Sequence, residues 1–414
     1  MKIAIENARL IDPKNGIDAR QNLYLAAGKV AAVGQKPEGF IADETIDASG
    51  LIACPGLIDL CAHPLPLKSE LAAASAGGVT TLVCPPDIDP ALDEPELVER
   101  LIQQAKAARR VRVFPLGALT QGLKGERLAE MAALYDAGCI AFSQGREPIT
   151  DTRSLYRAFE YAATFGFAVW LQAEEFYLSQ DGFAHNGAVA ARMGLTGIPV
   201  AAETVALATY LTLARDIGVK LHIRRLSSAA GLAMLLRAQA EGIDVTADVG
   251  IHHLHLSEND LGYFEADARF DPPLRAESDR AALRKAAACG QLAICSDHTP
   301  LKQDAKRQPF GEAEPGATAL ELLLPLTLQW GREMGLPLLK TLAPLTSMAA
   351  EMLGKPELGQ LGVGALADVC LIDPEAPWTV SAETLVSRGK NTPFAGKTLQ
   401  GRARRTLSAI GMEK

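Results

Sequence analysis

Residues 56–63, GLIDLCAH, are a short apolar run that stops at Cys61-Ala62-His63. Residues two apart on a strand point to the same side, so Cys61 and His63 present two potential metal ligands together. Seven later stretches repeat the pattern of an apolar run ending in polar residues. They are TTLVCPP (80–86), VRVFPLGAL (111–119), CIAFSQG (139–145), FAVWLQAEE (167–175), VKLHIRRLSS (219–228), DVTADVGIHHL (244–254) and LAICSDHTP (292–300). Amphipathic stretches such as DTRSLYRAFEYAATFG and AAETVALATYLTLARDIG lie between them. Eight such alternations predict an α/β fold of the (β/α)8 TIM-barrel type over residues 54–355. An open doubly wound sheet is the alternative, and the lack of a Gly-rich phosphate fingerprint after the first strand counts against it.

Chemistry on a barrel sits where strands end and loops begin. The polar residues at those points are Cys61, His63, Asp87, Gln144, Gln172, Glu174, Arg225, His252, His253 and Asp297. They are expected to converge on one mouth. The segment LKQDAKRQPFGEAEP (301–315) follows the last strand and is expected to be a mobile loop over that mouth, with nothing to order it.

Outside the barrel the pattern changes. Residues 1–53 alternate apolar and polar in short runs broken by turns such as Pro13-Lys14-Asn15-Gly16. Residues 356–414 return to that style in ADVCLIDPEAPWTV and GKTLQGRARRTLSAIG. Both ends are expected to build one composite β-sandwich domain.

The 414 residues are 48% hydrophobic and 22% charged, with a formal net charge of −8. That balance suits a soluble globular protein and argues against nucleic acid as a partner. The basic clusters Arg109-Arg110, Arg224-Arg225 and Arg402 to Arg405 read as solvated faces or local ion pairs. Seven cysteines without a CxxC pair suggest reduced thiols in a cytoplasmic protein. MKIAIENARL reads as a strand rather than a signal peptide, and no apolar run is long enough to predict a membrane span.

PGLIDLCAHP, AGGVTTLVCPPDIDP, HHLHLSEND, DPPLRAESDRAAL, SDHTP and GKNTPFAGKTLQG occur in an order that resembles the dihydroorotases of the amidohydrolase superfamily. That resemblance covers nearly the whole chain. It implies two zinc ions held by an HxH pair, a bridging carboxylate or carboxylated lysine, two further histidines and an aspartate. Here the first His of the pair is matched by Cys61, the bridging group by Gln144, the strand-five His by Gln172 and the strand-six His by Arg225. His63 and Asp297 are kept. The family's substrate-recognising Arg, Asn and His are matched by Leu65, Asp87 and Leu301.

Neutral amides are poor zinc ligands, and Arg carries a permanent charge. The expected reading is therefore a dihydroorotase-like pseudoenzyme without cofactor, its remnant site being Cys61, His63, Gln144, Gln172, Arg225 and Asp297. An Arg225–Asp297 pair is expected to stand in for the metal. The resemblance further implies a non-catalytic subunit of aspartate carbamoyltransferase in pyrimidine biosynthesis. It would act as a homodimer joined to that enzyme's catalytic chains. Two alternatives stay open: an active amidohydrolase with one zinc on Cys61, His63 and Asp297, and a metal-free small-molecule binding protein. The His252-His253-x-His255 cluster is read as structural.

Overall fold

The computed structural model describes residues 1–412. Eight parallel strands lie side by side in chain order: Leu57–Asp59, Val79–Cys84, Arg112–Ala118, Ala141–Ser143, Ala168–Gln172, Lys220–Arg224, Val245–Gly250 and Ala293–Cys295. Each overlaps one of the eight stretches read from the sequence. A parallel bridge between Ala62 and His298 brings the first and last strands together, which makes the sheet a barrel rather than an open doubly wound array. The buried Asp59 latches this seam. Its carboxylate accepts hydrogen bonds from the Ser296 backbone N–H at 2.8 Å and the Ser296 hydroxyl at 2.5 Å.

Strand alternation sorts the core into two layers. Leu82, Val113, Val169, Ile223 and Val249 pack outward in the core shared with the surrounding helices. Ile58, Val83, Leu116, Trp170 and Cys295 fill the barrel interior with Ala349, Ala350 and Leu353. The intervening helices carry their own stop and start signals. Thr152–Phe165 begins at Asp151, whose carboxylate accepts from the Arg153 and Ser154 backbone N–H groups, and ends at Gly166 in the left-handed conformation.

Two further sheets use both ends of the chain. One has the order Lys29–Val33, Leu23–Ala26, Lys2–Glu6, Glu44–Asp47. The other has the order Thr398–Leu407, Val369–Thr379, Ile52–Pro55, Arg9–Asp12, Ile17–Arg20. Ile3, Ile5, Leu23 and Leu25 of the first pack with Leu10, Ala53, Val369 and Leu371 of the second in one buried cluster. The C-terminal strands thus complete a sheet begun some 350 residues earlier in the chain.

The stretch between those C-terminal strands returns to the barrel. Glu70, on the helix Leu67–Ala76, accepts from the Ser387 hydroxyl at 2.5 Å and the Arg388 backbone N–H at 3.0 Å. His298 Nδ1 accepts from the Ala319 backbone N–H at 3.0 Å, so its Nε2 carries the proton that it donates to Glu70, also at 3.0 Å. Burial disfavours the Glu70 carboxylate, but His298, Ser387 and Ser69 outweigh it and bring its pKa down to about 2.

Residues 301–315 lie over the mouth, with a short helix at Gln303–Lys306. The expectation that nothing orders this segment is corrected. Arg269 donates to the carbonyls of Phe310 at 3.0 Å, Gly311 at 2.7 Å and Ala313, and Lys306 donates to the Ala266 carbonyl at 2.8 Å. Among the described residues, no helix is long and apolar enough to cross a membrane.

Candidate functional site

The ends of the barrel strands bring Cys61, Gln172, Arg225 and Asp297 into one contact network. Arg225 follows directly on the sixth strand and its backbone N–H donates to Asp248 at 2.8 Å. Its guanidinium lies across the barrel mouth, with Nη1 donating to Asp297 Oδ1 at 2.9 Å and to the Asp271 carbonyl at 3.0 Å. Nη2 donates to Gln172 Oε1. Both ends of this ion pair are shut off from solvent, Arg225 and Asp297 each being 1% exposed. Both also hold left-handed backbone angles, φ +54° and +49°. For non-glycine residues that conformation costs roughly 1–2 kcal/mol each, so the surrounding contacts must over-determine it.

The neighbouring Arg224 was missed as a site residue. It is fully buried, so its reading as part of a solvated basic face is corrected. Nη2 lies 3.1 Å from Cys61 Sγ and Nη1 donates to Ser143 Oγ at 3.2 Å. Strand alternation was the available signal: His222 and Arg224 share the interior face of Lys220–Arg224. Cys61 Sγ also lies 3.9 Å from Asp297 Oδ1. A hydrogen bond from Cys295, with Arg224 and Arg225 nearby, holds the Cys61 thiol pKa below its ordinary value against the opposing effect of burial.

His63 does not join that network through its ring. Its Nε2 meets Asp87 Oδ2 at 3.1 Å. Burial opposes ionisation of Asp87, but His63, Arg224 and Arg146 hold its pKa far below the carboxylate range. Asp87 fits beside Gly145, where any Cβ would come within 2.5 Å of the Asp87 Cβ. Gln144 turns the other way, accepting from the Thr120 hydroxyl at 3.0 Å. Arg146, also unforeseen, donates to Thr299 Oγ1 at 2.8 Å and stands 3.7 Å from Asp297.

The histidine cluster takes up packing contacts. His253 Nε2 meets the carbonyls of Pro272 and Pro273, and His255 Nε2 meets the Leu326 carbonyl at 2.9 Å. His252 packs against Phe270 with ring centroids 4.5 Å apart, and burial pushes its pKa down to about 3. His222, facing the interior, meets Asp248 at 3.0 Å.

A small cavity lies to one side of this network, between the ends of the fourth and fifth strands and the helices that cover them. Lined by Gln144, Arg146, Gln172, Glu174 and Tyr210, it measures about 10 Å³. That is at the lower limit for one water molecule, and roughly thirtyfold below the smallest usual ligand pocket.

A family profile described as dihydro-orotase-like matches residues 50–231. The chain is 44% identical to a dihydroorotase-like protein of Pseudomonas putida over 98% of both sequences. The chain belongs to the dihydroorotase-like family. It is also 38% identical to a dihydroorotase of Geotalea daltonii, again over 98% of both. Among solved structures it is similar to an L-hydantoinase (dihydropyrimidinase) from Arthrobacter aurescens, with a TM-score of 0.87 and 25% identity over 98% of this chain and 94% of that one.

The family's two zinc ions do not fit the residues present. Arg225 donates to two of the matched ligand positions, Gln172 and Asp297, and itself stands at a third. Of the Cys61, His63 and Asp297 set, Cys61 and Asp297 lie 3.9 Å apart, while His63 Nε2 turns to Asp87 and its Nδ1 has no partner. Among the described residues, no three His, Cys, Asp or Glu groups are placed to hold a metal ion.

Glu174 supplies a test of how dry this centre is. Burial first, and then the nearby Asp271 carboxylate, raise its pKa to about 8. A carboxyl raised in the folded state keeps its proton where the unfolded chain has lost it, so stability falls as pH rises from about 4.3 to about 8. Glu174→Gln is expected to remove that component of the fall. Urea midpoints across this range should decline less steeply in the variant, and parallel curves for the two proteins would contradict the assignment.

Proposed function

We propose that this chain is a non-catalytic member of the dihydroorotase-like family that serves as a structural subunit of aspartate carbamoyltransferase. The observation that carries the first half is the Arg225 guanidinium, bonded to Asp297 and Gln172 where the family's resemblance calls for metal ligands. Metal-dependent hydrolysis needs protein ligands with an open position for water. Here a permanent cation takes up the remaining carboxylate of the matched positions. The same buried ion pair across the mouth weighs against small-molecule binding at that point.

The second half rests on resemblance and on what such a barrel retains. A complete barrel and sandwich keep their shape without the chemistry, and a partner would use the surface. In this reading, dimers of the chain bridge trimers of transferase catalytic chains into a closed assembly, the usual outcome for symmetric oligomers. A stable contact of this kind would bury at least about 1,000 Å².

Co-expression with aspartate carbamoyltransferase catalytic chains, followed by size-exclusion chromatography with light scattering, tests the proposal. The two chains are expected to co-elute at a mass above that of either alone, and transferase activity is expected to depend on the complex. Separate elution at micromolar concentration, with transferase mass and activity unchanged, would overturn the subunit role.

A further inference from the structure

At the loops after the first and eighth barrel strands lies an open cavity of about 1010 Å³. Four segments far apart in sequence build it: the loop after the first barrel strand, a short turn at Ala266–Ala268 after the seventh, the segment after the eighth, and the C-terminal stretch that returns to the barrel. Lys302, Lys306, Arg307, Arg388 and Lys390 line it, opposed by the single carboxylate of Asp267. In a chain with a formal net charge of −8, an excess of four positive charges in one groove runs against the average.

Those charges are not used up by ion pairs. Among the described residues, Lys302, Lys306, Arg388 and Lys390 have no carboxylate within 4.0 Å, and Arg307 meets only the exposed Asp304 at 3.6 Å. Like charges gathered this way repel one another, yet the backbone and neighbouring carbonyls hold them in place. Glu70 fixes the Arg388 backbone N–H at 3.0 Å, Lys390 Nζ donates to the Leu385 carbonyl at 2.6 Å, and Lys306 Nζ donates to the Ala266 carbonyl at 2.8 Å. An ammonium has three donors, so both lysines retain capacity for a ligand. Burial, with Arg269 and Arg146 nearby, brings the Lys306 pKa down to about 8 despite Asp267 and Glu314. A bound anion would relieve that strain.

Leu65, Pro66, Pro300 and Leu301 supply an apolar part of the lining, and Gln303 and Asn391 add uncharged polar groups. Leu65 and Leu301 stand where the family resemblance places a substrate-recognising Arg and His, so the groove adjoins that region but draws its positive charge from other residues.

We propose that this groove binds a small organic molecule of the nucleotide class, with its phosphates on the Lys302–Lys306–Arg388–Lys390 rim and its ring on the Leu65–Pro300–Leu301 floor. The volume suits such a molecule, since ligand pockets run to about 1,000 Å³. Rim charges would supply charge-assisted hydrogen bonds to phosphate oxygens.

Isothermal titration of the full chain with ATP, and separately with inorganic tripolyphosphate, tests the proposal. Saturable ATP binding is expected, tighter than that of tripolyphosphate. The exposed pair Arg388→Glu and Lys390→Glu is expected to weaken ATP binding by about tenfold or more, the equivalent of one charge-assisted hydrogen bond. Lys302→Glu on the segment after the eighth strand, with thermal unfolding checked in each variant, serves as a second reading should the pair perturb the fold. Absence of ATP binding at millimolar concentration, or binding undiminished in both sets of folded variants, overturns the site. Equal affinity for ATP and tripolyphosphate overturns the nucleotide assignment.

Discussion

Replacing Arg225 with Met is expected to destabilise the chain by about 3–5 kcal/mol, the usual cost of stripping a buried ion pair of one partner. Asp297 would be left 1% exposed, with Arg146 at 3.7 Å as its remaining cation. Gln172 would lose the donor to its side-chain oxygen. The comparison that isolates the pair is a double-mutant cycle. Arg225→Met combined with Asp297→Leu removes both charges, and should recover much of the loss, because an apolar pair carries no desolvation penalty. Equilibrium urea unfolding measures all four proteins. An Arg225→Met variant as stable as the parent would show that Asp297 is satisfied without its arginine. The pair also predicts a pH dependence. Burial raises the Asp297 pKa, but Arg225, Arg146 and the neighbouring histidines outweigh it and hold it below its ordinary value. A depressed carboxylate contributes stability above its unfolded pKa, near 3.9, that is lost as pH falls through the folded value. The acid limb of unfolding should therefore flatten in the double variant.

The second large effect is one of activity withheld. Cys61→His restores the HxH pair of the family, and the variant is still expected to hydrolyse dihydroorotate no faster than the parent. The reason is geometric. A zinc ion bound to Asp297 Oδ1 at the usual distance of about 2 Å would sit no more than about 5 Å from a guanidinium nitrogen that is already 2.9 Å from the same oxygen. A unit charge facing a divalent ion at about 4 Å with an effective dielectric of about 20 costs on the order of 8 kcal/mol. Tight structural zinc sites are worth roughly 10–16 kcal/mol, so most of the binding would be lost. The parent chain and the variant are both expected to carry well under one zinc per chain by elemental analysis after growth with added zinc. Stoichiometric zinc in the parent, or dihydroorotate turnover by the variant above that of the parent, would count against the non-catalytic reading.

Much of this fold is visible from local pattern alone. Strand length, apolar alternation and the helical stretches between strands are set by residues near one another in sequence, and all eight barrel strands overlap the stretches read from it. The substitutions at Cys61, Gln144, Gln172 and Arg225 are likewise legible, because ligand identity is a property of single positions. What each of these residues touches is not. Arg224 and Arg225 are adjacent, and one reaches Cys61 inside the barrel while the other reaches Asp297 at its mouth. Only closure of the barrel, which brings residue 61 beside residue 297, decides that division. Gln144 and His63 end strands of the same ring, yet Gln144 turns to Thr120 and His63 to Asp87, each partner coming from the loop of the adjacent strand. The basic groove depends still more on tertiary structure. Lys306 and Lys390 lie 84 residues apart and Leu65 more than 230 before either, so no window of sequence contains the site. Periodicity acts through short-range geometry and survives in the sequence, whereas charge pairing acts between loops whose meeting is set by how the sheet closes.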